Sequence, residues 1–349
     1  MSAPLRIALY GTGQVGRAVL ARLERFDDAS LALVHIENSR HEWTDLDADA
    51  AQIVLDATAS DTIAARHADW LARGVHVVTA NKLGRGASLA RAESIEQACF
   101  ASGARYGDAA TVGAGLPLLR SLRALRAGGD AIHGVAGVLS GSLAWLLARF
   151  DGSVPFSTLV REARAAGYTE PDPRIDLSGE DVRRKLLILA RAAGVALEAE
   201  DVHVESLVPD ALANADVEAI DEHLASLDAP LQSLLDAARD TGGRLHFVAR
   251  WHDGVAHVGL ETLVPTHPLA AGGGTDNRVA IRSARYSEQP LVIQGPGAGA
   301  DVTAAAMLDD VLAIRDALRG VNVFRAAQAI RSGATSSKNA SIGMGRLIA

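Results

Sequence analysis

Asp181 and Lys185 stand four residues apart in a stretch, residues 179–193, whose apolar spacing predicts a helix, so their side chains share one face. Just upstream, Glu170 and Asp172 sit in Glu-Pro-Asp-Pro, where Pro171 and Pro173 forbid helix and stiffen an extended turn. Ser178 is the expected N-cap of the helix that follows. Two carboxylates and an ammonium around one small space suit a zwitterionic substrate. A carboxylate binds an α-ammonium group, and a lysine polarises or protonates an oxygen. The same spacing also fits an ordinary surface helix. Ser178-x-x-Asp181 is close to a capping box, and a solvated Asp–Lys pair at i,i+4 is worth only ~0.3–0.5 kcal/mol. The apolar run 186–190 directly after Lys185 favours the first reading, because it places that part of the helix against a core.

A second constellation opens the chain. Residues 5–10 are an apolar run that ends in Gly11-Thr12-Gly13-Gln14-Val15-Gly16, and a helical pattern follows at once. This is G-x-G-x-x-G between strand and helix, the pattern that seats a dinucleotide pyrophosphate on a helix N-terminus. Three further segments have candidate chemistry. Asn81 and Lys82 end a predicted strand (75–79), at the ligand side of the sheet. Thr111-Val112-Gly113-Ala114-Gly115-Leu116-Pro117 is a glycine-rich turn that presents backbone groups to an ion, to a phosphate, or to a tight corner. Gly295-Pro-Gly297-Ala-Gly299 through Thr303 permits close backbone approach before a last helix.

The elements that must position these residues fall into two groups. Up to residue 130, apolar runs at 31–36, 53–57 and 75–79 alternate with helical patterns near 15–25, 62–73 and 88–101. That rhythm predicts an α/β, doubly wound parallel sheet of Rossmann type. Beyond it, a strand at 133–139 and helical patterns at 142–150, 156–166 and 179–193 precede strand-like runs at 244–251, 255–263, 279–286 and 291–294. Strands in series imply an α+β unit. The expected division is therefore residues 1–130 for dinucleotide binding and 131–294 for substrate. Residues 295–330 form a chain return with a helix at 301–318, and 331–349 a flexible tail. The pattern at 216–238 contains breaks that hide its ends.

With 349 residues, 48% apolar and 22% charged, the composition is that of a globular protein. The net charge of −8 argues against nucleic-acid and anionic-membrane partners. The single cysteine, Cys99, excludes an intramolecular disulfide and a thiolate cluster. No apolar stretch is long enough to span a bilayer, and only Met-Ser-Ala-Pro precedes the first strand, so a cytoplasmic location is expected.

Taken in order, Gly11–Gly16, Asn38-Ser-Arg40, Asp56-Ala-Thr58-Ala59-Ser60, Thr79-Ala-Asn81-Lys82, Val112–Pro117, Gly137-Val-Leu-Ser-Gly-Ser142, Gly167-Tyr-Thr-Glu-Pro-Asp-Pro173 with its downstream Asp and Lys, and Gly295–Thr303 resemble homoserine dehydrogenases. The wording around residues 167–191 is similar to the dehydrogenase half of the bifunctional aspartokinase–homoserine dehydrogenases. The length leaves no room for a kinase module, so a monofunctional form is expected. The resemblance implies reduction of aspartate-4-semialdehyde to homoserine with NADPH or NADH, in threonine and methionine biosynthesis, by a homodimer.

Carried over by position, Lys185 and Lys82 are the active-site lysines, with Lys185 the expected proton donor. Glu170, Asp181 and Asp176 bind the substrate. The dinucleotide contacts are Gly11, Thr12, Gly13, Gln14, Val15, Gly16, Asn38, Arg40, Thr58, Ala59, Ser60, Asn81, Lys82, Gly297 and Thr303. Where the family often has an acidic residue near a monovalent cation, this chain has Ala109, with Asp108 one place earlier. Backbone carbonyls at Val112 and Ala114 are then the candidate ligands for Na+. Glu37, at the end of the second strand, would grip a ribose 2′-OH and favour NAD, whereas Arg40 would pair with a 2′-phosphate and favour NADP. The resemblance tips the expectation to NADP. Two other readings stay open: an enzyme acting on a different amino-acid semialdehyde, and a non-enzymatic NAD(P)-sensing regulator.

Overall fold

The computed structural model describes residues 3–26, 28–40, 50–271 and 274–320. The expected tail at 331–349 and the end of the chain return lie outside them. The first unit is a five-stranded parallel sheet made of β1 (Leu5–Tyr10), β2 (Leu31–Glu37), β3 (Ile53–Asp56), β4 (His76–Thr79) and the two-residue β5 (Tyr106–Gly107). Their order in the sheet is β2-β1-β3-β4-β5. The order reverses between β1 and β3, which opens a crevice beyond their carboxyl ends, where doubly wound sheets seat ligands.

Both faces of β1, β3 and β4 are covered, which is why these strands read as near-continuous apolar runs. On one face Tyr10, Val54 and Val77 pack with Ile63, Trp70, Leu71 and Ile95 from the helices Asp61–Ala65, His67–Ala72 and Leu89–Ser102. On the other, Ile7, Leu9 and Leu55 meet Val19 of the helix Gln14–Phe26, together with Met307, Val311 and Ile314 of a helix over 300–320. At roughly 1.5–3 kcal/mol per fully buried large apolar side chain, those three residues hold the returning helix, and the loop before it, against the first sheet. The single helix expected near 62–73 is two short ones that meet at Arg66.

The second unit adds β6 (Ile132–Val138), β7 (Val202–Val204), β8 (Arg244–His252), β9 (Val255–Leu263), β10 (Asp276–Ser283) and β11 (Leu291–Pro296). They form a mixed sheet in the order β11-β10-β6-β8-β9-β7, antiparallel except for the edge pair β7–β9. Helices Gly141–Arg149, Phe156–Ala165, Glu180–Ala192 and Asp228–Asp240 cover one face of this sheet, with Leu146, Phe156, Leu186 and Leu189 in the largest core.

The structure corrects two local expectations. A short helix, Arg174–Leu177, starts directly after Pro173. Proline is compatible with the beginning of a helix because the amide hydrogen it lacks would have no partner there. Ser178 therefore ends that helix and is not at the N-cap position of the next one, although its hydroxyl oxygen accepts from the Glu180 amide at 3.3 Å. Its hydroxyl donates to the Ile175 carbonyl, and the N-cap of Glu180–Ala192 is Gly179, at φ 78°. The broken pattern at 216–238 resolves into short turns of helix over 217–227 followed by Asp228–Asp240.

Candidate active site

Gly11 and Gly16 are demanded by packing inside the chain. A Cβ on Gly11 would meet the Ala57 carbonyl at 2.9 Å, and one on Gly16 would meet the Gly11 carbonyl at 1.9 Å. Gly13 differs, because a Cβ there would have no protein atom within 4 Å. Its small size is thus not explained by the fold, and it faces the open side of the turn that begins the helix Gln14–Phe26. Beside that turn lies a pocket of about 350 Å³ lined by Gln14, Val15, Thr58, Ala59, Gly297 and Thr303, with Lys82 and Lys185 at its other side. The turn, the helix N-terminus and this pocket fit a dinucleotide pyrophosphate.

The loops that line the pocket are held from behind. Asp56, fully buried at the end of β3, accepts from the Thr58 amide (2.9 Å) and the Thr58 hydroxyl (2.7 Å), and its other oxygen meets His67 Nε2 at 2.9 Å. Asn81 is buried, and its carboxamide donates to the Ser60 carbonyl (2.8 Å) and to Thr58 Oγ1 (3.3 Å). It ties the loop after β4 to the loop after β3. Ser60 caps the helix Asp61–Ala65. Beyond β2, Asn38 Oδ1 accepts from the Arg40 amide at 3.0 Å and closes the turn there. Glu37 is buried, and its carboxylate meets His35 Nε2 at 3.1 Å.

A larger cleft of about 700 Å³ adjoins the first and shares Thr58, Ala59, Ala80 and Lys82 with it. Glu170, Asp176, Ser140 and Asp181 also line it. Lys82 Nζ lies 3.3 Å from Asp181 Oδ1, and Lys185 Nζ lies 2.9 Å from Asp181 Oδ2. Lys185 Nζ also donates to the Leu139 carbonyl at 2.7 Å. Two of its three N–H donors are thereby fixed, which leaves one for an oxygen in the cleft. Burial alone would push the Asp181 carboxyl up, but the two ammonium groups overcome this and hold it well below the usual carboxylate range.

Asp176 is occupied by the protein itself. Its Oδ1 accepts from the Ser142 hydroxyl (2.7 Å) and its Oδ2 from the Glu170 amide (2.8 Å). It fixes the loop that presents the exposed Glu170 side chain to the cleft. Tyr168, stacked on Trp145 at 4.9 Å, anchors the same loop. The turn at 112–114 has Gly113 and Ala114 at φ 73° and 49°, two successive left-handed residues. Asp108, one turn earlier, is buried and bound at both oxygens by Arg123, at 2.6 and 2.7 Å. The Arg123 guanidinium overrides the cost of burial and keeps this carboxyl low. Asp108 is a structural ion pair, not a spare ligand.

Sequence reasoning missed Arg191. It is buried, and its Nη1 donates to the carbonyls of Arg85 (2.6 Å) and Ala87 (2.7 Å), while Nε and Nη2 donate to Leu197. The helix that carries Asp181 and Lys185 is thereby pinned to the loop that carries Lys82. An arginine inside an apolar run was the available signal.

The comparisons agree with this geometry. The family model for the homoserine dehydrogenase NAD-binding domain matches residues 11–106, and that for homoserine dehydrogenase matches residues 117–312. The chain belongs to the homoserine dehydrogenase family. It is 44% identical over 272 residues to bifunctional aspartokinase/homoserine dehydrogenase 2 of Escherichia coli K12, a match covering 78% of this chain and 33% of that protein. It thus spans about a third of the length of that bifunctional relative. It is 38% identical to the homoserine dehydrogenase of Schizosaccharomyces pombe, over 76% of this chain and 73% of that protein. A crystal structure of a Candida auris protein of unknown function superposes with a TM-score of 0.83 at 31% identity, covering 90% of this chain and 99% of that one. Residues of both matched regions line the first pocket, and the same is true of the adjoining cleft. Among the described residues no helix is long and apolar enough to cross a membrane.

Proposed function

We propose that the chain interconverts L-aspartate-4-semialdehyde and L-homoserine by NAD(P)-dependent hydride transfer. The observation that carries this reading is the placement of Lys82 and Lys185, from separate units, on the one Asp181 carboxylate, at the seam between the dinucleotide pocket and the adjoining cleft. A bound nicotinamide dinucleotide supplies or accepts the hydride at the substrate's terminal carbon.

The chain's own groups do the rest. As the aldehyde carbon is reduced, negative charge grows on its oxygen, and a fixed ammonium stabilises that charge without reorganising. Lys185 gives this oxygen its proton and is reprotonated from solvent. Lys82 orients the substrate by its charge. Asp181 holds the two ammonium groups side by side and screens their repulsion. Glu170, on the loop that Asp176 fixes, takes the α-ammonium end of the amino acid.

The preferred cofactor is NADP. Arg40 is exposed on the turn beyond β2, whereas Glu37, the residue that would favour NAD, is buried against His35. Sodium at the carbonyls of Val112 and Ala114, a homodimer and a cytoplasmic location complete the reading. A panel of hydroxy amino acids tested with NAD+ and NADP+, with and without Na+, tests the reading. Homoserine should be the substrate oxidised, and a panel in which homoserine is inert while another hydroxy amino acid turns over would overturn it.

A further inference from the structure

At the edge strand of the second sheet, three metal-ligating side chains converge. His203 of β7 and His257 of β9 are directly paired in the parallel register, so they lie on the same face. Their rings stack, with centroids 5.6 Å apart and planes at 25°. Glu205, two residues beyond His203, projects from that face as well. Its Oε1 lies 3.3 Å from His257 Nε2 and 3.9 Å from His203 Nε2. One ligand atom from each of the three residues falls within 4.8 Å of the other two.

Opposite Glu205 the neighbouring strand has Gly259. A Cβ there would meet Glu205 Oε2 and His257 Cε1, each at 2.8 Å. The glycine therefore leaves the room in which the carboxylate and the imidazole approach each other. Arg250, paired with His257 across β8–β9, brings a positive charge to this face. Glu261 engages that guanidinium at 3.1 and 2.6 Å, which keeps it from repelling a cation.

We propose that His203, Glu205 and His257 form a surface site for one divalent transition-metal ion of the zinc type, independent of the dehydrogenase reaction. Zinc binds imidazole nitrogen and carboxylate oxygen at about 2.0–2.2 Å, so two ligand atoms on a tetrahedral ion stand about 3.4 Å apart. Of the three pairs, His257–Glu205 at 3.3 Å already meets that separation, and His203, 3.9 Å from Glu205 and within 4.8 Å of His257, closes the other two by turning its exposed ring. Two imidazoles and a carboxylate select zinc, cobalt or nickel over magnesium and calcium, which prefer all-oxygen sites. The ion joins the three-residue edge strand β7 to β9 and leaves at least one position open to water or a ligand.

The test uses the full chain stripped of metal with a chelator, then titrated with zinc chloride by calorimetry and with cobalt chloride by visible absorption. The expected result is one ion per chain, with a tetrahedral cobalt spectrum and a zinc-dependent rise in melting temperature. Replacing His257→Ala or Glu205→Gln should weaken binding at least about tenfold and abolish the rise. Gly259→Val should do the same by filling the space between the ligands. Because His203 is exposed, His203→Gln serves as a variant whose fold is preserved. Unchanged stoichiometry and spectrum in His203→Gln and His257→Ala, or an ion shared between two chains, would overturn the proposal.

Discussion

Arg191 Nη1 donates to the carbonyl oxygen of Arg85 at 2.6 Å, and this bond joins the two walls of the cleft. Arg85 follows Lys82 in the loop after β4, and Arg191 lies in the last turn of the helix that bears Lys185. The separation of the two lysines is thus set by a buried guanidinium outside the cleft. Removing it leaves the carbonyls of Arg85, Ala87 and Leu197 without that partner. Arg191→Ala is expected to cost about 2–4 kcal/mol of stability, measured by urea unfolding at pH 7, and to lower kcat in the surviving folded protein. A loss within about 0.5 kcal/mol, the range of ordinary surface changes, would contradict this coupling.

The glycines of the fingerprint separate fold from ligand. Gly16→Ala forces a Cβ against a backbone carbonyl and is expected to destabilise the chain by at least about 1–3 kcal/mol. Gly13→Ala adds a Cβ that meets no protein atom within 4 Å, so it should melt like the parent protein while its dinucleotide Kd rises at least about tenfold. Fluorescence titration with NADPH beside thermal melts checks both. Equal damage to folding in the two variants would contradict the assignment of Gly13 to the pyrophosphate.

The depressed pKa of Asp181 has a defined consequence for stability. Its folded value lies below the ordinary carboxylate value of about 3.9, so its contribution is fully present above that pH and fades as the pH falls through it. Asp181→Asn should therefore melt below the parent protein at pH 7, and the gap should narrow below pH ~4, where this carboxylate takes up its proton in the unfolded chain while the folded one stays charged. Melting curves from pH 3 to 8 measure this. A gap independent of pH would show that the two lysines do not depend on the charge of Asp181.

Much of this was legible in the residues. Strands β1, β3 and β4 of the first sheet are apolar runs because both of their faces are covered, and glycine spacing marked the crevice at β1 and β3. The shared helical face of Asp181 and Lys185 follows from a four-residue offset, and it came out as an ion pair. What stayed hidden was tertiary. No spacing rule brings Lys82 to Asp181, since their elements meet only through packing and through Arg191. Asp176 came from the resemblance as a substrate ligand, and it does line the cleft, but its second task of holding the Glu170 loop could not be read from spacing. Only the coordinates show both of its oxygens taken by Ser142 and the Glu170 amide. Ser178 misled for a similar reason: the helix start could be read, but the short helix before it could not, and that helix claimed the serine.

The most direct measurement is the initial rate of homoserine oxidation by the parent chain and by Lys185→Ala, with folding and NADPH binding checked in both. Removing a positioned proton-transfer group typically costs about 10²–10⁴-fold in rate. The parent should turn over homoserine, faster as the pH rises because the reaction releases a proton. The variant should lose at least about a hundredfold in kcat with its NADPH affinity unchanged. A folded, cofactor-binding Lys185→Ala chain that oxidises homoserine at the parent rate would contradict the account.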